Sequence, residues 1–442
     1  MKTRILSLAL ILTLLFVCGV ASFAADYVHN EVLVQLQPGV GITAFNTAYN
    51  TTTLSSSPNN AYRLGTPTGV DSAALANTMS SDPRVVSAEP NSQFIFNADG
   101  TNPQTTPTSQ FIFNADADIN KTSQFIFNAD QFIFNADQFI FNADQFIFNA
   151  DRNPGLFAYM TQSTSSLIHY GTTAKQYNGA GVLVALLDTG ISTRNTLLAM
   201  HVTQGWNFVD GNSNTDDIPS GIDSNGNGKP DEDAGHGTMV AGLVNRYAQG
   251  ATLLPVKVLD SDGAGSLWSI VQGIRYATSK GAKVINMSVG TPKNSGLLRK
   301  AIKDAWDAGI VIVTAAGNDN TFTKQYPAGD NITIAVGSLD AKNVKASFSN
   351  YGEWVDVVAP GVGLPSTFWN GGYAAWSGTS FSSPLVAAEA ALIISAKPNW
   401  TAARVRNQIK NQADSVDALN MPYAGLLGSG IIDLDMALSF KN

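Results

Sequence analysis

The chain has 442 residues, 44% of them hydrophobic and 14% charged, with a formal net charge of -8 and a pI near 5.0. That length allows two or three domains, or one large domain with extensions, and the apolar fraction is enough for a substantial core. The acidic balance argues against a nucleic-acid binder, which needs a basic face to meet phosphates.

Lys2 and Arg4 precede an apolar run from Ile5 to Val17, and Ser22-Phe23-Ala24 places small side chains before a cleavage after Ala24. A basic start, a short apolar middle and a small-residue end predict a secretory signal peptide over residues 1–24. The protein is therefore expected outside the cell. The run is shorter than the roughly 20 residues that span a bilayer, and no later apolar run is long enough, so no stable membrane anchor is expected. The single cysteine, Cys18, lies inside this segment. A lipid anchor on it is disfavoured because Leu15-Phe16-Val17 lacks the small residue expected beside such a cysteine. Removing the segment leaves no thiol, which excludes disulfides, a cysteine nucleophile and a thiolate zinc site.

Residues 25–91 form a second region. Glu31-Val32-Leu33-Val34-Gln35-Leu36 reads as a strand, Ala73 to Met79 as a helix, and Arg84 to Asn91 as another strand. A unit of about 65 residues is marginal alone and folds better against a partner surface.

Residues 92–151 carry a repeat. The heptapeptide QFIFNAD begins at Gln93, Gln110, Gln124, Gln131, Gln138 and Gln145, and the last four copies are contiguous. Its period matches a coiled coil, but Asn and Asp are weak helix formers and Phe-Ile-Phe favours strand. Three readings stay open: a tolerant linker enlarged by tandem duplication, an extended ligand for a groove of this or another protein, and a self-associating segment.

Residues 152–442 read as one domain. Apolar strands are expected at Val182–Leu187, Leu254–Val258, Val284–Met287, Ile310–Thr314, Ile332–Val336 and Val355–Ala359, and helices at Leu267–Ser279, Gly296–Trp306 and Pro384–Ser395. The alternation predicts an α/β fold: a doubly wound, mostly parallel sheet with helices on both faces, preceded by a small α+β domain. Such sheets place their sites at the carboxyl ends of strands.

Three short motifs sit where that rule wants them. Asp188-Thr189-Gly190 follows the first strand. Gly235-His236-Gly237-Thr238 opens a helical pattern, and its glycines permit close approach. Gly378-Thr379-Ser380 leads into a helix apolar almost all round, whose N-terminus favours developing negative charge. Pro384 suits the first turn of that helix. Ala315-Ala316-Gly317-Asn318 follows another strand and offers an amide donor. Each motif alone has a plain explanation as a turn acid, a helix-start histidine, an N-cap serine or a turn asparagine.

Together, in the order Asp, His, Ser, they resemble the subtilisin-type serine proteases, the subtilases. The resemblance spans most of Tyr177 to Phe440. It implies a serine endopeptidase with Asp188, His236 and Ser380 as the triad and Asn318 as oxyanion donor. It implies that Gly263, Ala264 and Gly265 face Ser288, Val289 and Gly290 across an extended peptide, with Ala316 and Gly317 beside it. It also implies that residues 25–91 are a propeptide that assists folding and then blocks the cleft as an intramolecular inhibitor. Protein or peptide substrates, a self-processed precursor and a monomer follow. Phe381 replaces the methionine that often follows the serine. Gln325-Tyr326-Pro327-Ala328 is expected to line the pocket for the residue before the cut, with Gln325 making it shallow. The repeats have no counterpart in the family.

Within this domain Asp223, Asn225, Asn227 and Asp231 occupy positions 1, 3, 5 and 9 of a loop with Gly228 at 6, and read as structural Ca2+ ligands. Ala234 stands where a bidentate acid belongs, with Glu232 and Asp233 close by, and a solvated acidic loop is the plainer reading. A binding protein built on an inactive protease scaffold is the competing class. The complete triad with Asn318 argues against it.

Overall fold

The computed structural model describes residues 27–95, 111–113, 125–127, 132–134 and 154–440. The expected signal peptide and Cys18 lie outside these residues. The first region contains β1 (Tyr27–Leu36), α1 (Ile42–Tyr49), β2 (Thr52–Ser57), β3 (Ala61–Gly65), α2 (Ser72–Ser80) and β4 (Val85–Ile95). The strands form an antiparallel sheet in the order β4-β1-β3-β2. Helix α2 starts where the Asp71 carboxylate accepts from the Ala73 N–H at 2.9 Å, an N-cap.

The apolar run in β1 is continuous because both of its faces are covered. Val32, Val34 and Leu36 pack on Phe45, Leu64 and Met79 within the small domain. Leu33, on the opposite face, and Ala61 join a cluster with Ile274 and Leu298 of the large domain. Burying Leu33 in that seam contributes roughly 2 kcal/mol. Three short repeat segments follow as strands: β5 (Phe111–Phe113), β6 (Phe125–Phe127) and β7 (Phe132–Phe134).

The large domain opens with α3 (Pro154–Thr161), α4 (Thr164–Leu167), β8 (Leu183–Asp188), α5 (Thr196–Ala199) and β9 (Trp206–Asn207). Next come α6 (His236–Tyr247), β10 (Thr252–Lys257), β11 (Ala264–Ser266), α7 (Leu267–Ser279), β12 (Val284–Met287) and α8 (Gly296–Asp307). It continues with β13 (Val311–Ala315), β14 (Ile334–Leu339), β15 (Val357–Pro360), β16 (Leu364–Thr367) and β17 (Tyr373–Trp376). It ends in α9 (Thr379–Ala396), α10 (Ala402–Gln412) and α11 (Leu434–Leu438).

Seven strands make one parallel sheet, β15-β14-β13-β12-β8-β10-β9. Alternate residues of β8 go to opposite layers. Val184 and Leu186 meet α6 and α9 residues such as Val240 and Leu385. Ala185 and Leu187 meet α7 and α8 residues such as Ile270 and Ala301. This is the doubly wound α/β fold that the sequence led us to expect.

Strand ends in the large domain shift by up to three residues from expectation, and the largest shift is at a helix start. Helix α9 begins at Thr379, five residues before Pro384, so the proline sits inside it. A proline there lacks the N–H that would bond the carbonyl four residues back. That carbonyl belongs to Ser380, and the Ser288 hydroxyl donates to it instead at 3.0 Å. Helix α9 is long and apolar enough to cross a membrane, but 83% of it is buried, as the core of the fold requires.

Candidate active site

Strand β8 ends on Asp188, between β10 on one side and β12 on the other. The chain changes direction across the sheet at that point, which opens a crevice at the strand ends. His236 begins α6, and its Nδ1 lies 2.7 Å from Asp188 Oδ1, with both residues buried. A carboxylate on Nδ1 fixes that proton there and leaves the lone pair on Nε2. Glycine at 237 is what allows this approach. A Cβ on it would stand 2.2 Å from the Gly190 carbonyl oxygen and 3.0 Å from Asp188 Oδ1.

Burial works against the His236 cation, but the charge and hydrogen bond of Asp188, with Asp233 and Asp217 behind it, outweigh this, and the pKa is raised from 6.5. Asp217 was not legible as a functional residue in the sequence. It is buried and accepts from the Thr189 hydroxyl (2.9 Å), the Gly235 N–H (2.9 Å), the Thr238 N–H (2.9 Å) and the Thr238 hydroxyl (2.7 Å). Thr189 adjoins Asp188, while Gly235 and Thr238 bracket His236. One carboxylate therefore ties both turns together. Lys257 caps the arrangement by donating to the Thr189 carbonyl.

Ser380 is the second residue of α9 and is buried in this uncleaved chain. Its hydroxyl makes no hydrogen bond among the described residues. The ring of His236 packs 5.1 Å from that of Phe381, the next residue along α9, which brings the helix start to the imidazole. Asn318 is held by the same turn: Thr379 donates to Asn318 Oδ1 from its N–H (2.9 Å) and from its hydroxyl (2.8 Å). These two bonds hold Asn318 against the residue that precedes Ser380. Gly317 makes the turn possible. Its φ is +102°, and a Cβ would strike Asn350 Nδ2 at 2.4 Å.

The profile described as the Subtilase family matches residues 179–427. The chain belongs to the subtilase family. It is a subtilisin-like serine endopeptidase with an N-terminal prodomain, since a second profile, the fervidolysin N-terminal prodomain, matches residues 20–91. Subtilisin BL of Lederbergia lenta is 39% identical over 268 residues, which cover 59% of this chain and 91% of that one. A solved protease of Pseudoalteromonas arctica is 31% identical with a TM-score of 0.57, covering 65% of this chain and 97% of that one. Fervidolysin of Fervidobacterium pennivorans, at 22% identity, shares the fold over 95% of this chain and 62% of its own, with a TM-score of 0.69.

The segments expected to bind peptide lie in β11 and just after β12 and β13. Ala264 and Gly265 lie in β11, which pairs antiparallel with the end of β4, and Gly263 precedes them at φ +72°. Ser288, Val289 and Gly290 follow β12, with Ser288 tied to the Ser380 carbonyl. Ala316 and Gly317 follow β13. Gln325 is buried between the two glycine turns, 3.7 Å from where a Cβ on Gly290 would be and 3.1 Å from one on Gly317.

The polar loop before His236 behaves unevenly. Asp223 accepts from the N–H groups of Gly226, Asn227 and Gly228, Asn225 from that of Asn227, and Asn227 from that of Lys229. These bonds curl 223–229 into an oxygen-rich turn. Asp231 is drawn elsewhere, with both oxygens engaged by Ser220, Gly221 and Ser261. Asp262, which the sequence pattern missed, accepts from the N–H groups of Ser224 and Asn225 through Oδ2. Its buried Oδ1 has no hydrogen-bond partner among the described residues.

Proposed function

We propose that this protease hydrolyses extended peptides with Asp188, His236 and Ser380 as its triad, and that it processes its own precursor on the way out of the cell. The observation that carries the reading is the 2.7 Å contact between Asp188 and His236 at the carboxyl end of β8, beside the N-terminus of α9. Ser380 Oγ attacks the scissile carbonyl carbon while His236 Nε2 takes its proton. Asp188 holds the ring and stabilises the imidazolium. The oxyanion receives the Asn318 side-chain amide and the Ser380 N–H, an arrangement in which loss of one donor typically costs about 100- to 1000-fold in rate. His236 then protonates the leaving amine, and water repeats the sequence on the acyl-enzyme.

The division into signal peptide 1–24, propeptide 25–91, repeats 92–151 and catalytic domain 152–442, export as a monomer, and inhibition by the attached propeptide belong to this reading. Ser380→Ala is expected to abolish peptidase activity and to leave the chain uncut when made alone. A Ser380→Ala chain that matures unaided, or a wild-type activity untouched by a serine-directed reagent, overturns it.

Calcium at the 223–227 turn is a secondary proposal, supported by Asp262 Oδ1, which is buried near Asn225 with no hydrogen-bond partner among the described residues. Asp223, Asn225, Asn227 and Asp262 would hold it, without Asp231, and the ion would neutralise these acids and pin the loop. Added calcium should raise Tm over a chelated sample; an unchanged Tm overturns it.

A further inference from the structure

The six QFIFNAD copies play no part in the hydrolysis described above. Yet the first copy is not idle chain. Gln93, Phe94 and Ile95 pair antiparallel with Ser266, Gly265 and Ala264, so that β11 becomes the fifth strand of the prodomain sheet. Residue numbers rise along β4 as they fall along β11, so the pairing points from Ser266 toward Ser261. The Ser261 carbonyl accepts from the Asp233 N–H at 3.0 Å, and the Asp233 carbonyl from the His236 N–H at 3.0 Å. The heptapeptide thus enters the peptide-binding edge aimed at the reactive pair.

Other copies behave alike. Phe111–Phe113 adds antiparallel to Tyr373–Ala375 of β17, and Phe125–Phe127 pairs with Phe132–Phe134. In three described copies Phe-Ile-Phe is a short strand paired with another strand, and in the first copy Phe94 and Ile95 end β4 against β11. Phe and Ile favour that conformation, and strand addition gives affinity through main-chain bonds and specificity through alternate side chains.

We propose that the heptapeptide is this protease's own substrate sequence, carried in tandem so that shedding one occupant of the β11 edge brings in the next. This rests on the protease reading above. A cut in the first copy leaves five copies attached ahead of residue 152. A short tether holds them at an effective concentration on the order of millimolar, so a copy with only millimolar intrinsic affinity still fills the cleft about half of the time. Each cut is ordinary hydrolysis: the peptide C–N bond breaks, the acyl carbon gains hydroxide from water, and the amine gains the proton. The preferred substrate class is an extended segment with alternating aromatic residues followed by small polar ones.

The test uses the wild-type protein, a chromogenic peptide and synthetic QFIFNAD. The heptapeptide should slow chromogenic hydrolysis competitively at about millimolar concentration and be cut, as read by mass spectrometry, whereas a scrambled peptide of equal composition should do neither. Intact-mass time courses of maturation should show intermediates one heptapeptide apart across 124–151, and deleting 124–151 should shorten the lag before full activity. The proposal is overturned, with the protease reading intact, if the enzyme turns over the chromogenic peptide while millimolar QFIFNAD neither competes nor is cut. It is equally overturned if the array leaves in a single cut and the deletion does not change the lag. A chain that hydrolyses no peptide at all overturns both.

Discussion

Replacing Glu89 by alanine should loosen the prodomain's hold on the catalytic domain. Glu89 Oε1 accepts from the Ser295 hydroxyl and from the Leu297 N–H, both at 3.0 Å, where α8 begins. Two residues on, Asn91 Oδ1 accepts from the Trp268 N–H at 3.1 Å, where α7 begins. Alternate residues of a strand share a face, so one face of β4 caps two helices of the enzyme. Hydrogen bonds to a charged group contribute about 1.5–3 kcal/mol, and a helix N-terminus favours the carboxylate further. Against this, burial raises the Glu89 pKa in spite of the two donors and Arg299, so desolvation offsets part of the gain. The lower part of the range, about 1.5–2 kcal/mol, is the expected loss, or about 10- to 30-fold in the dissociation constant. The cleaved but still associated complex is diluted serially, and the protein concentration at which half of the peptidase activity appears is read. Glu89→Gln keeps an acceptor without the desolvation cost of a charge, and since the docked site favours the neutral form of Glu89, this variant should hold at least as tightly as wild type above the docked pKa. Because the docked carboxyl titrates above the undocked one, docking takes up a proton. The hold therefore weakens as pH rises from the undocked to the docked pKa and is flat above it, a slope that Glu89→Gln removes. A half-release concentration for Glu89→Ala within threefold of wild type would refute the reasoning.

Asp217→Asn leaves too few acceptors for the donors of Thr189, Gly235 and Thr238, and should lower kcat on the order of 10- to 100-fold with little change in KM. It should also move the acid limb of the kcat/KM profile downward, since the Asp217 charge helps raise the His236 pKa; an unmoved limb would make Asp217 a packing residue only. Glu389 lies in the middle of α9, fully buried, with neither oxygen hydrogen-bonded among the described residues. Burial, with the Asp433 charge, raises its pKa well above the usual carboxylate range. The unfolded chain ionises first, so wild-type stability falls as pH rises from the ordinary carboxylate range toward the folded pKa. Glu389→Gln should accordingly melt higher than wild type at pH 8 and about equally at pH 4; equal melting at both would contradict a neutral buried acid.

What the sequence reveals and what it hides divide along chain distance. Helix Leu267–Ser279 and strand Val284–Met287 were legible to the residue because their signals are local: an apolar face at helical spacing in one, an apolar run in the other, with Ser266 capping the helix by accepting from the Ser269 N–H at 3.1 Å. The contact of Asp188 with His236 was legible because their short motifs fell at a strand end and a helix start. In contrast, β2 is Thr-Thr-Leu-Ser-Ser-Ser, mostly exposed, with neither periodicity nor burial to announce it. The start of α9 was misplaced because a proline at a helix's first turn is the favoured local reading. What licenses five helical residues ahead of Pro384 is a hydroxyl 92 positions away, on Ser288. Asp217 is silent for the same reason: its partners, Thr189, Gly235 and Thr238, lie in two other segments and converge only in the fold. Glu89 and Asn91 looked like the plain end of a strand, while the N–H groups they satisfy are 177 to 208 residues away. Periodicity, then, determines the sheet and its two helical layers. The reactive geometry is held by single polar side chains whose partners are remote in sequence, and a substitution at Asp217 or Ser288 can spoil the site while leaving every local pattern unchanged.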